Sequence, residues 1–255
     1  MANVYHLNLN RKMIQGARIA LLPGNPARSS TIAEHISTTY GRGFKRLAAK
    51  REFSTFLTDA GKAKILVTST GIGGPSASIA VDELAQIGVT TFIRVGTTGA
   101  IQDYINIGDC IITTGSVRLD GASTHYAPIE YPAVAHHEVV TALIEGAKKS
   151  KTRYHVGITA SSDTFYPGEE RKDAFRKYIL RRFRGATLEW KMLHVLNYEM
   201  ESSTILTLTA SMGLKGGCIT GVVNRGGIGK ITKGSLVKGE WAAIKTAVAA
   251  LEWLV

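Results

Sequence analysis

Short apolar runs alternate with amphipathic stretches along the chain, and this alternation predicts an α/β fold. Runs of Val, Ile and Leu that end abruptly in Gly, Pro, Ser or Thr are typical of buried parallel strands. Stretches whose apolar residues recur every three or four positions are typical of helices that pack on such a sheet. The pattern predicts strands at 18–23, 51–59, 62–69, 90–95, 107–119, 153–160, 218–224 and, as a strand end, 197–202. It predicts helices from about residue 25 and at 75–87, 136–149, 171–185, 202–213 and 236–255.

The order of these elements predicts one three-layer α/β/α domain over residues 1–255, with a mixed, largely parallel central sheet. A chain of 255 residues with 44% hydrophobic residues is long enough to bury such a core. Its apolar stretches are shorter than the ~18 residues of a membrane span, and its first residues lack the apolar core of a secretory signal. Cys110 and Cys218 lie in apolar strand-like runs, which predicts buried free thiols and a cytoplasmic protein.

The net charge of +11 raises the alternative of nucleic-acid binding. The basic residues concentrate at 171–185 and 225–239. In the first of these segments Phe175, Tyr178 and Phe183 have the spacing of an amphipathic helix, so its Lys and Arg side chains are expected on the solvated face. We therefore do not expect nucleic acid as a partner.

Three Gly-rich turns follow three of the predicted strands: LLPGNPAR (21–28), LVTSTGIGGPS (66–76) and FIRVGTTGA (92–100). Small residues let backbone N–H groups approach a bound group, and hydroxyl groups add further donors. Arg28 and Arg94 each offer a planar fork to an oxyanion. Because strand ends meet at one edge of an α/β sheet, the three turns predict a shared oxyanion site.

Motifs for nucleotides and metals are incomplete. GIGGPS has Ser76 where a dinucleotide-binding turn has its last glycine, and the residues from Thr91 to Arg94 supply no acid for a ribose hydroxyl. GGIGKIT has Asn224 where a P-loop has its first glycine. The histidines lack zinc-ligand spacing with a cysteine. NAD, ATP and zinc are therefore not expected.

Two polar segments are candidates for holding an organic ligand. In NYEMES, Glu199 and Glu201 share one face of an extended backbone and could accept hydrogen bonds from sugar hydroxyls; the alternative is pairing with surface Lys or Arg. In SSDTFYPGEER, Phe165 could stack on a planar base while Glu169 and Arg171 meet its edge. The alternative there is a turn before a helix N-terminus, with the acids stabilised by the helix dipole.

Together these segments resemble the bacterial uridine phosphorylases of the nucleoside phosphorylase I family. The matching stretches are LLPGNPAR, KREFSTF, TSTGIGGPSASIAVDELAQIG, FIRVGTTGAI, VRLDGAS, ASSDTFYPGEER and NYEMES, in the expected order over nearly all of residues 5–225. The resemblance implies the nucleoside phosphorylase fold and reversible phosphorolysis of uridine to uracil and ribose 1-phosphate, a pentosyl transfer in pyrimidine salvage. It implies phosphate as co-substrate, no further organic cofactor, and a homohexamer built as a trimer of dimers.

The resemblance also implies residue roles. The phosphate ligands would be Gly24, Arg28, Arg94, Thr97 and, from a neighbouring subunit, Arg51. The nucleoside ligands would be Phe165, Glu169, Arg171, Met200, Glu201, Arg225 and, from a neighbouring subunit, His6. Arg94, Glu201 and Arg171 would be catalytic. Glu52, Ile72 and Ser76 match positions that surround a potassium ion at the dimer interface in this family.

Two departures from the family pattern affect the base site. Glu169 stands where the family usually has glutamine, and an ionised glutamate loses a donor to the base, at a cost of about 1–3 kcal/mol. Burial would keep Glu169 protonated, whereas Arg171 would oppose this. GVVNR (221–225) is one residue short, so either Val222 and Val223 form a bulge or Arg225 turns away from the base. The Gly-rich stretch 226–234 predicts a mobile lid.

Alternative functions remain open at this point. The chain could act on thymidine, deoxyuridine or a purine nucleoside, although VVNR lacks the aspartate with which purine phosphorylases tend to protonate the base. Nucleoside hydrolysis would leave three phosphate-directed arginines without a role. A catalytically impaired paralogue that binds a ligand or partner through its basic surface is the alternative outside enzymes.

Overall fold

The computed structural model describes residues 2–226 and 229–255. In these ranges the strands are Ile19–Leu22 (β1), Phe44–Lys50 (β2), Phe53–Ala60 (β3), Ala63–Thr68 (β4), Thr91–Ala100 (β5), Cys110–Leu119 (β6), Ala133–Val134 (β7), Tyr154–Ser162 (β8), Asn197–Glu199 (β9) and Lys215–Arg225 (β10). The α-helices are Pro26–Tyr40 (α1), Gly74–Gln86 (α2), His137–Lys149 (α3), Ala186–Met192 (α4), Ser202–Ser211 (α5) and Lys233–Ala250 (α6).

All ten strands belong to one mixed sheet. Strands β4, β1, β5 and β10 are consecutive and parallel, while β3 and β2 extend the sheet as antiparallel neighbours. Beyond β10 the sheet continues through β6, β8 and β9, and β9 pairs back onto β5, so these five strands close a ring. The predicted mixed α/β sheet is confirmed.

Helices cover both faces of the sheet because successive side chains of the strands point to opposite sides. In β1, Ile19 and Leu21 pack in a core with residues of α1, α3 and α6. Ala20 and Leu22 pack in a second core with residues of α2 and α5. Burial on both faces explains why β1 is apolar throughout, and the resulting three layers are those that the sequence predicts.

The first Gly-rich turn directs Arg28 through the start of α1. The side chain of Asn25 accepts a hydrogen bond from the N–H of Ala27 at 3.0 Å, and Pro26 occupies the first turn. Gly41, with φ +69°, ends the helix in the left-handed conformation. The predicted helix start is confirmed.

The third Gly-rich segment is strand rather than turn, which corrects the prediction for residues 96–100. It stays extended because it pairs with β10 on one side and with β9 on the other. A side chain at Gly96 would come within 2.8 Å of the Arg94 guanidinium, and one at Gly99 within 2.7 Å of Asn224. These glycines therefore make room for neighbouring polar side chains within a strand.

The predicted basic helix at 171–185 is wrong. The segment consists of turns and one short 3₁₀ turn, Arg181–Phe183. A lone amphipathic segment of this length needs a surface to pack on, yet Phe175 is fully exposed and Tyr178 is half exposed. The guanidinium carbons of Arg176 and Arg184 instead lie 5.4 and 5.3 Å from the Tyr178 ring centre.

Two predictions from composition also apply to the part of the chain that the structure describes. None of its helices combines the length and apolar character of a bilayer span. Cys110 and Cys218 are buried and free, as predicted. Burial raises the pKa of each thiol to about 12.

Candidate active site

A cavity of about 530 Å³ opens at the carboxyl-terminal ends of β1, β5 and β10, beside the strand end of β9. This is the edge at which open α/β sheets commonly hold ligands. All three Gly-rich segments reach it, as do the NYEMES segment and the loop after β8. Its lining consists of Gly24, Asn25, Pro26, Arg28, Gly71, Ile72, Arg94, Thr97, Thr98, Gly99, Phe165, Glu169, Tyr198, Glu199, Met200, Glu201, Val223, Asn224 and Ile231.

The first and second Gly-rich turns pack directly against each other at one end of the cavity. The N–H of Gly71 donates to the carbonyl of Gly24 at 3.0 Å. A Cβ on Gly24 would lie 3.0 Å from the carbonyl oxygen of Gly71, so a side chain there would separate the turns. Gly24, Arg28, Arg94 and Thr97 thus lie around one space, as the oxyanion-site hypothesis expects.

Arg28 has an incompletely satisfied guanidinium. Its Nη2 forms an ion pair with Glu240 of α6, and its Nη1 donates to the Val95 carbonyl at 3.4 Å. Its Nε is buried and has no hydrogen-bond partner among the described residues. A buried orphan donor costs free energy unless a bound acceptor meets it, so Arg28 is suited to an anion.

Arg94 is held by two buried glutamates. Its Nε donates to Oε2 of Glu199 at 2.6 Å, and its Nη2 forms an ion pair with Oε2 of Glu201. Glu199 also accepts the N–H groups of Glu201 and Ser202 at 2.9 and 3.0 Å, which fixes it at the N-terminus of α5. The sequence suggested that the two carboxylates share a face; it did not identify Glu199 as the residue that positions Arg94.

The two glutamates differ in acidity although both are buried. Burial raises the pKa of Glu199, but Arg94 and the Ser202 hydroxyl outweigh burial and leave that pKa lowered. Burial also raises the pKa of Glu201; Arg94 opposes this, ionised Glu199 adds to it, and the pKa stays raised. Glu199 is therefore the permanent counter-charge of Arg94, and Glu201 is the weaker acid of the two.

Glu201 connects Arg94 to the second Gly-rich turn. Its Oε1 accepts the N–H of Gly73 at 2.6 Å. Gly73 has φ +94°, a conformation that favours glycine, and it directly precedes α2. Met200 lies between the two glutamates in sequence and also lines the cavity.

At the other end of the cavity, the loop after β8 brings Phe165 and Glu169 to the wall. Arg171 is buried with its guanidinium carbon 4.4 Å from the Phe165 ring centre, and it lines a smaller adjoining pocket. Its Nε and Nη2 donate to Asp173 at 3.0 and 2.8 Å. Asp173, which the sequence did not single out, therefore orients Arg171.

Glu169 is buried, with 6% of its surface exposed, and no side-chain hydrogen bond to it occurs among the described residues. Burial raises the pKa of its carboxyl to about 8; Arg171 opposes this, and Glu199 and Glu201 add to it. The sequence set burial against Arg171 at this position without deciding between them, and in the structure burial has the larger effect on this pKa.

Three of the residues that the resemblance assigns to phosphate or nucleoside, His6, Arg51 and Arg225, line neither the cavity nor the adjoining pocket. The Nδ1–H of His6 donates to the carboxylate of Glu83 on α2 at 2.7 Å, and this carboxylate also accepts the backbone N–H groups of His6 and Leu7. Arg51 is exposed at the turn between β2 and β3 with φ +55°.

Arg225 also lies outside the cavity, and its Nη2 donates to the carbonyl of Asp103. The register of β10 against β5 shifts between Val222 and Asn224, which is the bulge that the missing residue predicts. The register shift and the turn of the Arg225 side chain away from the cavity thus occur together. Of the proposed lid, Gly227 and Ile228 lie outside the described residues; Asn224 donates to the Gly229 carbonyl at 3.0 Å.

The three residues suggested for potassium lie near the second Gly-rich turn. The hydroxyl of Ser76 donates to Oε1 of Glu52 at 2.9 Å, whereas the Ile72 side chain is 77% exposed. A Cβ on Gly71 would meet the Glu52 side chain at 2.9 Å. In the described part of the chain no cluster of three or more His, Cys, Asp or Glu side chains is arranged for a metal ion.

Comparison with known proteins agrees with this geometry. The profile of the Phosphorylase superfamily matches residues 18–251. The chain is 52% identical over 222 residues to the uridine phosphorylase of Escherichia coli strain K12. The matched region covers 87% of this chain and 86% of that protein. It is 47% identical over 206 residues to the uridine phosphorylase of Thermococcus kodakarensis, with 81% and 72% covered. It is 34% identical over 201 residues to the guanosine phosphorylase of Halorubrum lacusprofundi, with 79% and 76% covered.

These matches confirm the resemblance that the sequence motifs carry. The profile spans both sides of the cavity, from β1 to the end of α6. The chain belongs to the Phosphorylase superfamily.

Proposed function

We propose that this protein is a uridine phosphorylase, a pentosyltransferase that converts uridine and phosphate reversibly to uracil and ribose 1-phosphate. One observation carries the proposal: a single cavity is lined by the cations Arg28 and Arg94, by Glu201, which pairs with Arg94, and by the aromatic ring of Phe165. An anion, a sugar and a base require these three environments. The names of the relatives at about 50% identity support the same reaction.

The cationic end supplies the phosphate site. Arg28 and Arg94 hold the phosphate by charge, and the hydroxyl and backbone of Thr97 and the backbone at Gly24 add donors. Phosphate held there is both the nucleophile and the counter-charge to the positive sugar ring that forms as the glycosidic bond breaks. Glu199 acts through Arg94, which it keeps in place at 2.6 Å.

The middle of the cavity supplies the ribose site. Glu201 is buried, faces the cavity, and accepts hydrogen bonds from the ribose hydroxyls, with Met200 packing against the sugar. The positive charge that forms on the sugar ring lowers the raised pKa of Glu201, because an opposite charge favours the ionised carboxylate. Glu201 therefore becomes a better acceptor as the transition state forms.

The aromatic end supplies the base site. Phe165 stacks on the pyrimidine, Glu169 meets its edge, and Arg171 stabilises the negative charge of the departing base. Arg225 joins this site only if it exchanges the Asp103 carbonyl for the base. The segment 229–231 borders the site through Ile231.

We propose a homohexamer in which a neighbouring subunit contributes Arg51 and His6. The exposed position of Arg51 and its absence from the cavity of its own chain support this arrangement. Glu83 fixes His6 through Nδ1 and leaves Nε2 as the nitrogen for a ribose hydroxyl. Glu52, Ser76 and the Ile72 carbonyl offer oxygen ligands of the kind that hard cations use, and they form half of a potassium site that a second copy completes.

The expected setting is pyrimidine salvage in the cytoplasm, where the two free thiols stay reduced. We also propose that residues 1–255 form one domain, supported by the single sheet and its shared cores.

The test is a panel of uridine, thymidine, deoxyuridine, cytidine, inosine and guanosine, each incubated with and without phosphate. The expected result is phosphate-dependent release of uracil together with ribose 1-phosphate. Release without phosphate indicates a hydrolase, and faster turnover of a purine nucleoside indicates a different phosphorylase. Binding of phosphate or RNA without turnover of any nucleoside indicates an impaired paralogue.

A further inference from the structure

Glu169 is a buried acid that lines this cavity, and among the described residues no cation forms an ion pair with it. The neighbouring guanidinium of Arg171 is directed at Asp173, to which it donates through two nitrogens. Arg94 is directed at Glu199 and Glu201. Glu169 itself lines the cavity beside Phe165 and is 6% exposed.

Charged and titratable groups surround Glu169 on several elements. Arg171 and Asp173 belong to its own loop, Tyr198 and Glu199 to β9, and Glu201 to the N-terminus of α5. Lys172 and Lys230 line the adjoining pocket, which Phe165 also lines. The two carboxylates across the cavity repel a negative charge on Glu169, and burial removes the water that would otherwise stabilise it.

We propose that Glu169 binds the base as a neutral carboxylic acid, and that it selects bases with an adjacent carbonyl and ring N–H. A neutral carboxyl has one donor and one acceptor side by side, which is the complement of an O=C–N–H edge such as that of uracil. A carboxylate at the same position is an acceptor only and faces the base carbonyl with negative charge.

The proton on Glu169 also matters as the base departs. Negative charge develops on the base carbonyls when the glycosidic bond breaks, and an ionised Glu169 would repel that charge. A neutral Glu169 donates a hydrogen bond that becomes stronger with the charge. Uridine turnover should therefore be highest below the point at which Glu169 loses its proton, which burial places at about pH 8.

This inference rests on the proposed uridine phosphorolysis, and its test compares the wild type with Glu169→Gln from pH 6 to 10. The amide keeps one donor and one acceptor at every pH. The ratio of kcat/KM for uridine, wild type over variant, should be constant below pH 7 and fall roughly tenfold per pH unit above pH 8. Taking the ratio cancels the titration of phosphate and of uridine. Glu34→Gln, an exposed change on α1, serves as the matched control and should leave the wild-type profile unchanged.

A second measurement reads the proton directly without turnover. The infrared difference spectrum of wild type minus Glu169→Gln should contain a protonated carboxyl band at pH 6.5 that disappears by pH 10. If the kcat/KM profiles of wild type and Glu169→Gln are parallel and the spectrum contains a carboxylate band at pH 6.5, the inference is wrong. The proposed uridine phosphorolysis is not affected by that result. A protonated band in a protein that does not turn over uridine supports the neutral acid and rejects the proposed function.

Discussion

The two ends of the cavity are built differently, and the difference shows how a site can be rigid at one end and adjustable at the other. At the phosphate end, Arg94 lies in the middle of a strand and is 5% exposed, with two buried glutamates as partners. At the base end, Glu169 and Arg171 lie on a loop, and the segment that follows is largely exposed turns. Strand pairing fixes the first set of side chains, whereas local contacts such as Arg171–Asp173 hold the second set.

This contrast fits the chemistry of the reaction. Phosphate and a pentose take part in the phosphorolysis of every nucleoside, so the groups that hold them gain from a fixed position. The base varies among nucleosides, and a loop can change its side chains without disturbing the sheet. In the proposed function Glu169 is such a change. It offers the base a carboxyl proton in place of the amide proton of glutamine, and it leaves Arg28, Arg94 and Glu201 in place.

The largest expected effect comes from breaking the phosphate end with Arg94→Met. Removal of the charge leaves Glu199 and Glu201 buried against each other, which should lower the free energy of unfolding by about 3–5 kcal/mol. Loss of the phosphate contact should lower kcat/KM for uridine on the order of 10³-fold. Urea denaturation and steady-state kinetics measure these effects. Arg18→Met, which removes an exposed arginine at the start of β1, is the control; similar losses there would mean that Arg94 has no special role.

The next effect tests the base end through stability rather than activity. The pKa of Glu169 is raised in the folded protein to about 8 from an ordinary 4.5. A carboxyl with a raised pKa makes its full contribution to the free energy of unfolding below pH 4.5. This contribution is lost as the pH rises to about 8. The wild type should therefore lose stability relative to Glu169→Gln across this window, by on the order of 4 kcal/mol. Urea denaturation of both proteins at pH 5, 6, 7, 8 and 9 measures the difference, and a constant difference contradicts the raised pKa.

The sequence predicts the phosphate end more completely than the base end, because strands form the phosphate end and a loop forms the base end. Apolar strands, Asn25 as a cap and glycines at strand ends are local signals, so β1, α1, β5 and their arginines follow from the chain alone. The extension of β5 through Gly96 to Ala100 does not, because it depends on β9 and β10, which lie about a hundred residues or more further along the sequence.

At the base end the sequence fails because an amphipathic pattern does not reveal whether a partner surface exists. Residues 171–185 have helical spacing but form no helix, since Phe175 is exposed and has no surface to pack on.

Three further features of the chain also escape sequence reasoning. Strand β2 was missed because its side chains are largely exposed and its pattern is mostly polar, FKRLAAK. Asp173 and Glu240 were missed because both act only through an arginine that the fold brings to them.

A smaller effect separates positioning from binding at the phosphate end. Glu199→Gln keeps the shape of the side chain but removes the charge that holds Arg94. The loss of a charge-assisted hydrogen bond costs about 1.5–3 kcal/mol, so kcat/KM for phosphate should fall roughly 10- to 150-fold. Because Glu199 acts through Arg94, most of this loss should be in KM for phosphate, with KM for uridine nearly unchanged. An equal rise in both KM values would mean that Glu199 supports the whole cavity.

The smallest expected effect concerns Glu240, the residue of α6 that pairs with Arg28 and that we expect to compete with phosphate for it. Phosphate must share Nη2 of Arg28 with this carboxylate, which is partly exposed and therefore weakly bound. Glu240→Gln should lower KM for phosphate by about two- to fivefold, since an ion pair of this kind is worth roughly 0.5–1 kcal/mol. Glu252→Gln, which breaks an exposed ion pair with Lys149, is the matched control and should not change KM. A higher KM in Glu240→Gln would mean that Glu240 orients Arg28 toward phosphate, and the phosphate end would then depend on α6 as well as on the sheet.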